Sequence, residues 1–135
     1  MSAQTNKDII TNAMNALAQG DTAPFAAAMA EDFAWRPMGV VARWAKPYEG
    51  RAAVSAFFRR FWAQFDERMI TTPLTISADG DRVVVEARGQ GRTKRGESYN
   101  NNYCYVIEMK DGKMRELREY LDTALGDERL DLELL

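Results

Sequence analysis

The sequence predicts an α+β fold in which N-terminal helices pack on a strongly curved antiparallel sheet. Three observations lead there. The first half carries apolar residues at helical spacing, at Ile10, Ala13, Met14 and Leu17 and again along residues 51 to 65. The second half alternates strand-like runs with the turn dipeptides Asp79-Gly80, Arg95-Gly96 and Asp111-Gly112. Gly89 and Gly91 interrupt one of those runs, and glycine inside a strand marks a bulge or a bend.

Residues 5 to 19 read as the first helix, with Thr5 or Asn6 as its cap and Gly20 suited to a left-handed stop. A second short helix follows, with Asp21 or Thr22 before it and Pro24 in its first turn. Residues 33 to 36 form a short strand ended by Pro37. Residues 37 to 50 are a loop containing Met38, Arg43, Trp44 and Tyr48, read either as a cover over a ligand or as a cap on the core. The third helix, residues 51 to 65, presents Val54, Phe57, Phe58, Phe61, Trp62 and Phe65 as a wide aromatic stripe. Three hairpins then make a four-stranded meander, and residues 126 to 135 form a short helix or fray.

The stretch from Tyr99 to Asp122 organises the rest. A type I′ turn at Asp111-Gly112 fits the demand for positive φ at both central positions. Counting outward sets Glu108 opposite Arg115, Val106 opposite Leu117, Cys104 opposite Glu119 and Asn102 opposite Leu121. Alternation then puts Asn102, Cys104, Val106, Leu117, Glu119 and Leu121 on one mostly apolar face, joined by Val85, Ala87 and Gly89. The other face collects Arg88, Tyr103, Tyr105, Arg118 and Tyr120, a surface suited to a homodimer. A slip of one residue would exchange the faces.

Composition narrows the chemistry. The 135 residues suit one domain, residues 1–135, and 46% are hydrophobic. Charged residues are 28% with a net charge of −2, which argues against a nucleic-acid partner. No apolar run reaches membrane-span length and the start lacks a signal-peptide layout, so a soluble cytoplasmic protein with no membrane partner is expected. Histidine is absent and Cys104 is the one cysteine, which removes Ser-His-Asp and Cys-His arrangements and His-ligated zinc. Neither a metal nor an organic cofactor is expected, and acid–base work falls to Asp, Glu, Tyr or Lys.

The segments ALAQGDTAPFAAAMAEDFAW, YEGRAAVSAFFRRF and YNNNYCYVIEMKDGKMRELREYLDT together resemble the nuclear transport factor 2-like (NTF2-like) superfamily, in its SnoaL-like and ketosteroid-isomerase-like branch. The last segment, with GK-x-x-x-x-x-EY-x-D, carries the most specific likeness. The resemblance implies a cone-shaped fold, a deep apolar cavity and frequent dimers, in a group of isomerases, epoxide hydrolases, polyketide cyclases and plain binding domains. The tyrosine and aspartate that ketosteroid isomerases use would fall near Ala13 and Arg36, so that residue set is missing. Glu119 matches the place on the last strand where limonene-epoxide-hydrolase-like relatives carry an acid. Their Asp-Arg-Asp set does not assemble from matching positions.

The site expected is a cavity with Glu119 as acid/base and Asn102 orienting ligand or water. Trp35, Phe58, Trp62, Val85, Cys104, Val106, Leu117 and Leu121 would wall it, and Trp44 and Tyr48 would close the mouth. Desolvation would raise the Glu119 pKa. The competing reading pairs Glu119 with an arginine such as Arg36. The ligand implied is small, apolar and oxygen-bearing, handled by an isomerase, cyclase or hydrolase. The alternative is a non-catalytic dimeric module that binds a ligand or a protein.

Overall fold

The computed structural model describes residues 2–135. Helix α1 (Ala3–Ala18) starts where the Ser2 hydroxyl accepts from the Thr5 N–H, three residues earlier than the expected cap. It stops in a Schellman turn. Gly20 adopts φ +80°, its N–H donates to the Leu17 carbonyl, and the Asp21 N–H donates to that of Ala16. Helix α2 (Ala23–Ala28) carries Pro24 in its first turn and passes directly into β1 (Met29–Pro37), which is longer than the sequence suggested. The loop ends in a short strand, β2 (Tyr48–Glu49), paired antiparallel with β1. Helix α3 (Arg51–Trp62) follows at once and packs its aromatic stripe on β1, where Phe58 meets Trp35 edge-on at 4.6 Å.

The meander is β3 (Ile70–Asp79), β4 (Arg82–Gln90), β5 (Asn101–Lys110) and β6 (Lys113–Leu121). β1 lies parallel to β6, so the sheet has six strands in the order β2-β1-β6-β5-β4-β3. Helix α4 (Thr123–Arg129) follows, capped by the Asp122 carboxylate on the Ala124 and Leu125 N–H groups, and a 3₁₀ turn (Leu132–Leu134) ends the chain. Among the described residues no helix is long and apolar enough to cross a membrane.

Strand β5 departs from the expected register on both sides. The Asp111-Gly112 turn is as predicted, with φ of 51° and 77°. Beyond it, however, Met109 pairs with Met114 while Glu108 pairs with Glu116, so Arg115 is an extra residue, a β-bulge. On the other side the turn spans three residues, Lys94 to Gly96, not two. Thr93 and Glu97 close it, Gly96 has φ +84°, and Gly89 then pairs with Asn101.

Each offset is one residue, and together they turn β5 over. Tyr103, Tyr105, Ile107 and Met109 are buried on the inner face with Val85, Ala87, Leu117 and Glu119. Asn102, Cys104 and Val106 point outward, correcting their expected place. The outer face likewise loses Tyr103 and Tyr105, two of the three tyrosines that suggested a dimer surface, and keeps Arg88, Arg118 and Tyr120. Arg118 is engaged there by Glu116 at 2.6 Å and Glu108 at 3.5 Å. The first hairpin also shifts by one, turning at Gly80-Asp81, and Leu74 sits at a second bulge, 55% exposed.

Gly89 has a packing reason to be glycine. A Cβ there would lie 2.6 Å from Cε2 of Tyr103. Gly89→Ala must push that buried ring, and overpacking of this kind costs about 1–3 kcal/mol. The loss is measurable as a lower urea midpoint. An unchanged midpoint would mean that the Tyr103 ring does not rest on this glycine.

Candidate active site

A cavity of about 230 Å³ opens between the inner sheet face, α3 and the α1–α2 turn. This is just below the roughly 300–1,000 Å³ usual for drug-sized ligands, so it suits a small molecule. Six expected residues line it: Glu119, Trp35, Trp44, Phe58, Trp62 and Leu121. Val85 and Leu117 lie on the same sheet face but are fully buried in the core, outside the lining. Tyr48 borders a second, smaller cleft with Arg43 and Lys46, its ring stacked on Phe57 at 4.3 Å. Trp44 lines both cavities and rests against Gly126 of α4, where a Cβ would approach its ring to 2.9 Å.

Asn102 is exposed on the far side of the sheet, so it does not join Glu119. Its expected inward place belongs to Asn101, 2% exposed. That amide clamps the start of β5 to the end of β6, donating to the Asp122 carbonyl and accepting from the Asp122 N–H, both at 3.1 Å. Cys104 and Val106 are half-buried outside, and burial together with nearby Glu86 pushes the Cys104 thiol pKa up.

Three phenols that sequence reasoning placed outside, or left unassigned, fill the vacated wall: Tyr99, Tyr103 and Tyr105. The rings of Tyr103 and Tyr105 stack at 5.5 Å, and Tyr105 lies directly opposite Glu119 in the β5–β6 ladder. Burial raises all three phenol pKa values, so they are neutral O–H donors at ordinary pH. The Tyr103 hydroxyl makes a weak contact, 3.7 Å to the Met69 sulfur, and neighbours the Tyr99 hydroxyl. A sequence signal for this wall existed. Tyr99, Asn101, Tyr103, Tyr105, Ile107 and Met109 form a more apolar alternating set than Asn100, Asn102, Cys104, Val106, Glu108 and Lys110.

Glu119 is 7% exposed and makes no ion pair among the described residues. Arg36, its suggested partner, is on the outer face with Glu49 at 3.0 Å and Glu116 at 3.2 Å. Desolvation lifts the Glu119 pKa to about 8, while the Trp35 indole beside it pulls the other way. That indole N–H is buried and has no partner in hydrogen-bonding geometry. Among the described residues no group of three His, Cys, Asp or Glu is placed to hold a metal ion.

Residues 10–117 match the family described as "SnoaL-like domain". The chain belongs to the SnoaL-like family. Its fold is NTF2-like, shared with a protein called Bal32a from a soil-derived mobile gene cassette. That structure is 24% identical, with 96% of this chain and 98% of the other covered and a TM-score of 0.83. A putative SnoaL-like polyketide cyclase from Jannaschia is 17% identical over 94% of this chain and 92% of the other, with a TM-score of 0.78. At these identities the likeness concerns fold alone. An uncharacterised protein of Bacillus subtilis, YesE, is 29% identical over 85 residues, 62% of this chain. The match spans 58% of YesE.

The raised Glu119 value has a consequence for this SnoaL-like chain's stability. An unfolded chain releases the Glu119 proton near 4.5, whereas the folded one holds it to about 8. Between those values the unfolded state binds fewer protons, so stability falls as pH rises through the window and levels off above it. Glu119→Gln keeps the shape of the neutral acid and removes this titration. Its unfolding free energy should match wild type near pH 4.5 and exceed it by a few kcal/mol at pH 8, read by urea denaturation at both values. Equal stability at pH 8 would mean a solvated Glu119.

Proposed function

We propose that this protein is a cofactor-independent isomerase or cyclase that moves a proton next to a carbonyl of a small apolar molecule. One observation carries the reading: a single carboxyl group, without an ion pair, buried in an apolar cavity whose facing wall is phenolic.

In this mechanism the ionised Glu119 takes a proton from the carbon beside the carbonyl. The electron pair moves onto the carbonyl oxygen, and a neutral phenol, Tyr105 or a neighbour, donates a hydrogen bond to the enolate. The carboxylic acid then returns the proton at another carbon. In a cyclase the enolate carbon instead attacks a second carbonyl carbon of the same molecule, whose π pair moves onto its oxygen and takes up the proton held by Glu119. A carboxylate with a pKa near 8 is a stronger base than an ordinary one. At pH 7 about one-tenth of it is ionised, a compromise that suits general-base work.

Epoxide hydrolysis by an Asp-Arg-Asp set receives less support, because Glu119 is the one carboxylate among the lining residues. The non-catalytic binding module also receives less, since Glu119 makes no ion pair among the described residues and the space beside it is an open cavity.

The test needs no knowledge of the natural substrate. Deuterium exchange at the α-carbon of 2-tetralone in D₂O reports enolisation directly. Wild type should accelerate it, with a rate that climbs with pH and levels off above about 8. Glu119→Gln should lose about 10²–10⁴-fold and the pH dependence with it. Equal exchange by wild type and variant would end the acid–base reading.

A further inference from the structure

The rim of the cavity has a charge imbalance that the proton-transfer reading does not use. Besides Glu119, the ionisable side chains lining the cavity with unambiguous charge are Arg59 and Arg68, both exposed at its outer end. Neither is ion-paired among the described residues, although nine pairs engage other arginines of the chain.

Arg68 is also held in place. Its guanidinium lies 5.1 Å from the centre of the Trp62 ring, a cation–π contact. Its Nη1 donates at 2.8 Å to the carbonyl of Gly20, the residue that ends α1 in the left-handed conformation. One donor is thereby used, and the remaining N–H groups of the fork stay available. Arg59 stands one helical turn after Ser55 on α3, and both line the cavity, so a hydroxyl and a guanidinium share that side of the rim. The Ser55 and Thr22 hydroxyls make no hydrogen bond to another side chain or backbone group among the described residues.

Glu119 is 7% exposed inside the cavity, whereas Arg59 and Arg68 line it from exposed positions. Desolvation and Trp35 account for the Glu119 shift, and neither arginine contributes to it. A cation close to the carboxyl would have held its pKa down. The guanidinium groups and the acid therefore serve different parts of whatever occupies the space between them.

We propose that the ligand carries an anionic group, a carboxylate or a phosphate, which Arg68 and Arg59 hold at the cavity mouth at the end remote from Glu119. The substrate class is then an apolar oxo-acid or oxo-phosphate, with its carbonyl deep against the phenols and its charge in the rim. This rests on reading the Glu119 cavity as a ligand site. Arginine is the fitting residue for the task, because its planar fork meets carboxylate or phosphate oxygens in pairs.

Equilibrium binding tests this without turnover. The probes are 1-naphthaleneacetate, its neutral amide and 1-naphthyl phosphate, measured by calorimetry at pH 7. Wild type should prefer the acid over the amide by about five- to tenfold, as two rim cations, one of them held in place, predict. The preference should shrink as salt rises. In the double variant Arg59→Met with Arg68→Met the preference should vanish, the acid and the phosphate losing more affinity than the amide; a preference that survives the double variant overturns the proposal. Arg68→Lys with Arg59 intact should keep part of it. The stronger of acid and phosphate names the natural head group, and either order supports an anionic end. Equal affinity of wild type for acid and amide overturns the proposal and leaves the cavity as a site for neutral ligands. Absence of binding by all three probes overturns it together with the ligand-site reading.

Discussion

Everything at the site depends on which way strand β5 faces. Two separate one-residue offsets decide it, the Arg115 bulge in β6 and the third residue of the turn at 94–96. With both present, Tyr103 and Tyr105 stand inside with Glu119, and Cys104 and Val106 stand outside. The carboxyl then meets a wall of neutral donors and aromatic rings. Its isolation from water, and from every cation on the other face, follows from that geometry. The outer charges satisfy one another: Arg82, Glu108, Arg118, Glu116, Arg36 and Glu49 form a chain of ion pairs from β4 across to β2.

The architecture was legible because it rests on period. Ile10, Ala13 and Met14 recur at helical spacing and are buried on α1, and α3 carries the expected aromatic stripe as far as Trp62, where it ends, leaving Phe65 beyond the helix in a bridge to Thr93. Glu119 was legible too, as a carboxyl among apolar neighbours on its own strand, and β6 kept its predicted face. The β5 wall was misread because counting pairs outward from turns carries every error forward. A bulge has no unambiguous mark in the sequence, and Arg115 looks like any exposed strand residue. Gly96 was readable as the left-handed position of a three-residue turn, but Arg95-Gly96 also fits a two-residue one. Residue alternation within β5, taken by itself, pointed the right way. The rim arginines were invisible for a different reason. Arg68 meets Gly20 and Trp62, and shares a cavity with Arg59, only when α1, α3 and the segment before β3 meet in space.

The two ends of the cavity differ in character. The deep end is buried, phenolic and holds the one carboxyl group; the outer end is cationic and exposed. Trp44, anchored over Gly126, connects the loop at 38–47 to the C-terminal helix and forms part of the wall. Membership in the SnoaL-like family accounts for the cone and for the cavity. The chemistry belongs to the particular side chains this chain places there.

The double offset around β5 also bears on how such a protein can change over generations. Substitutions alter a wall one side chain at a time. Loss of a single residue, either Arg115 or one of 94–96, acts differently. It asks β5 to expose the opposite set of side chains to one neighbour while the other neighbour still holds the original set. The strand cannot satisfy both unless another bulge takes up the offset. A chain carrying both would present Asn102, Cys104 and Val106 to the cavity in one step and move the tyrosines outside. Loop length is thus a coarse dial on the lining, with two settings and no intermediate between them.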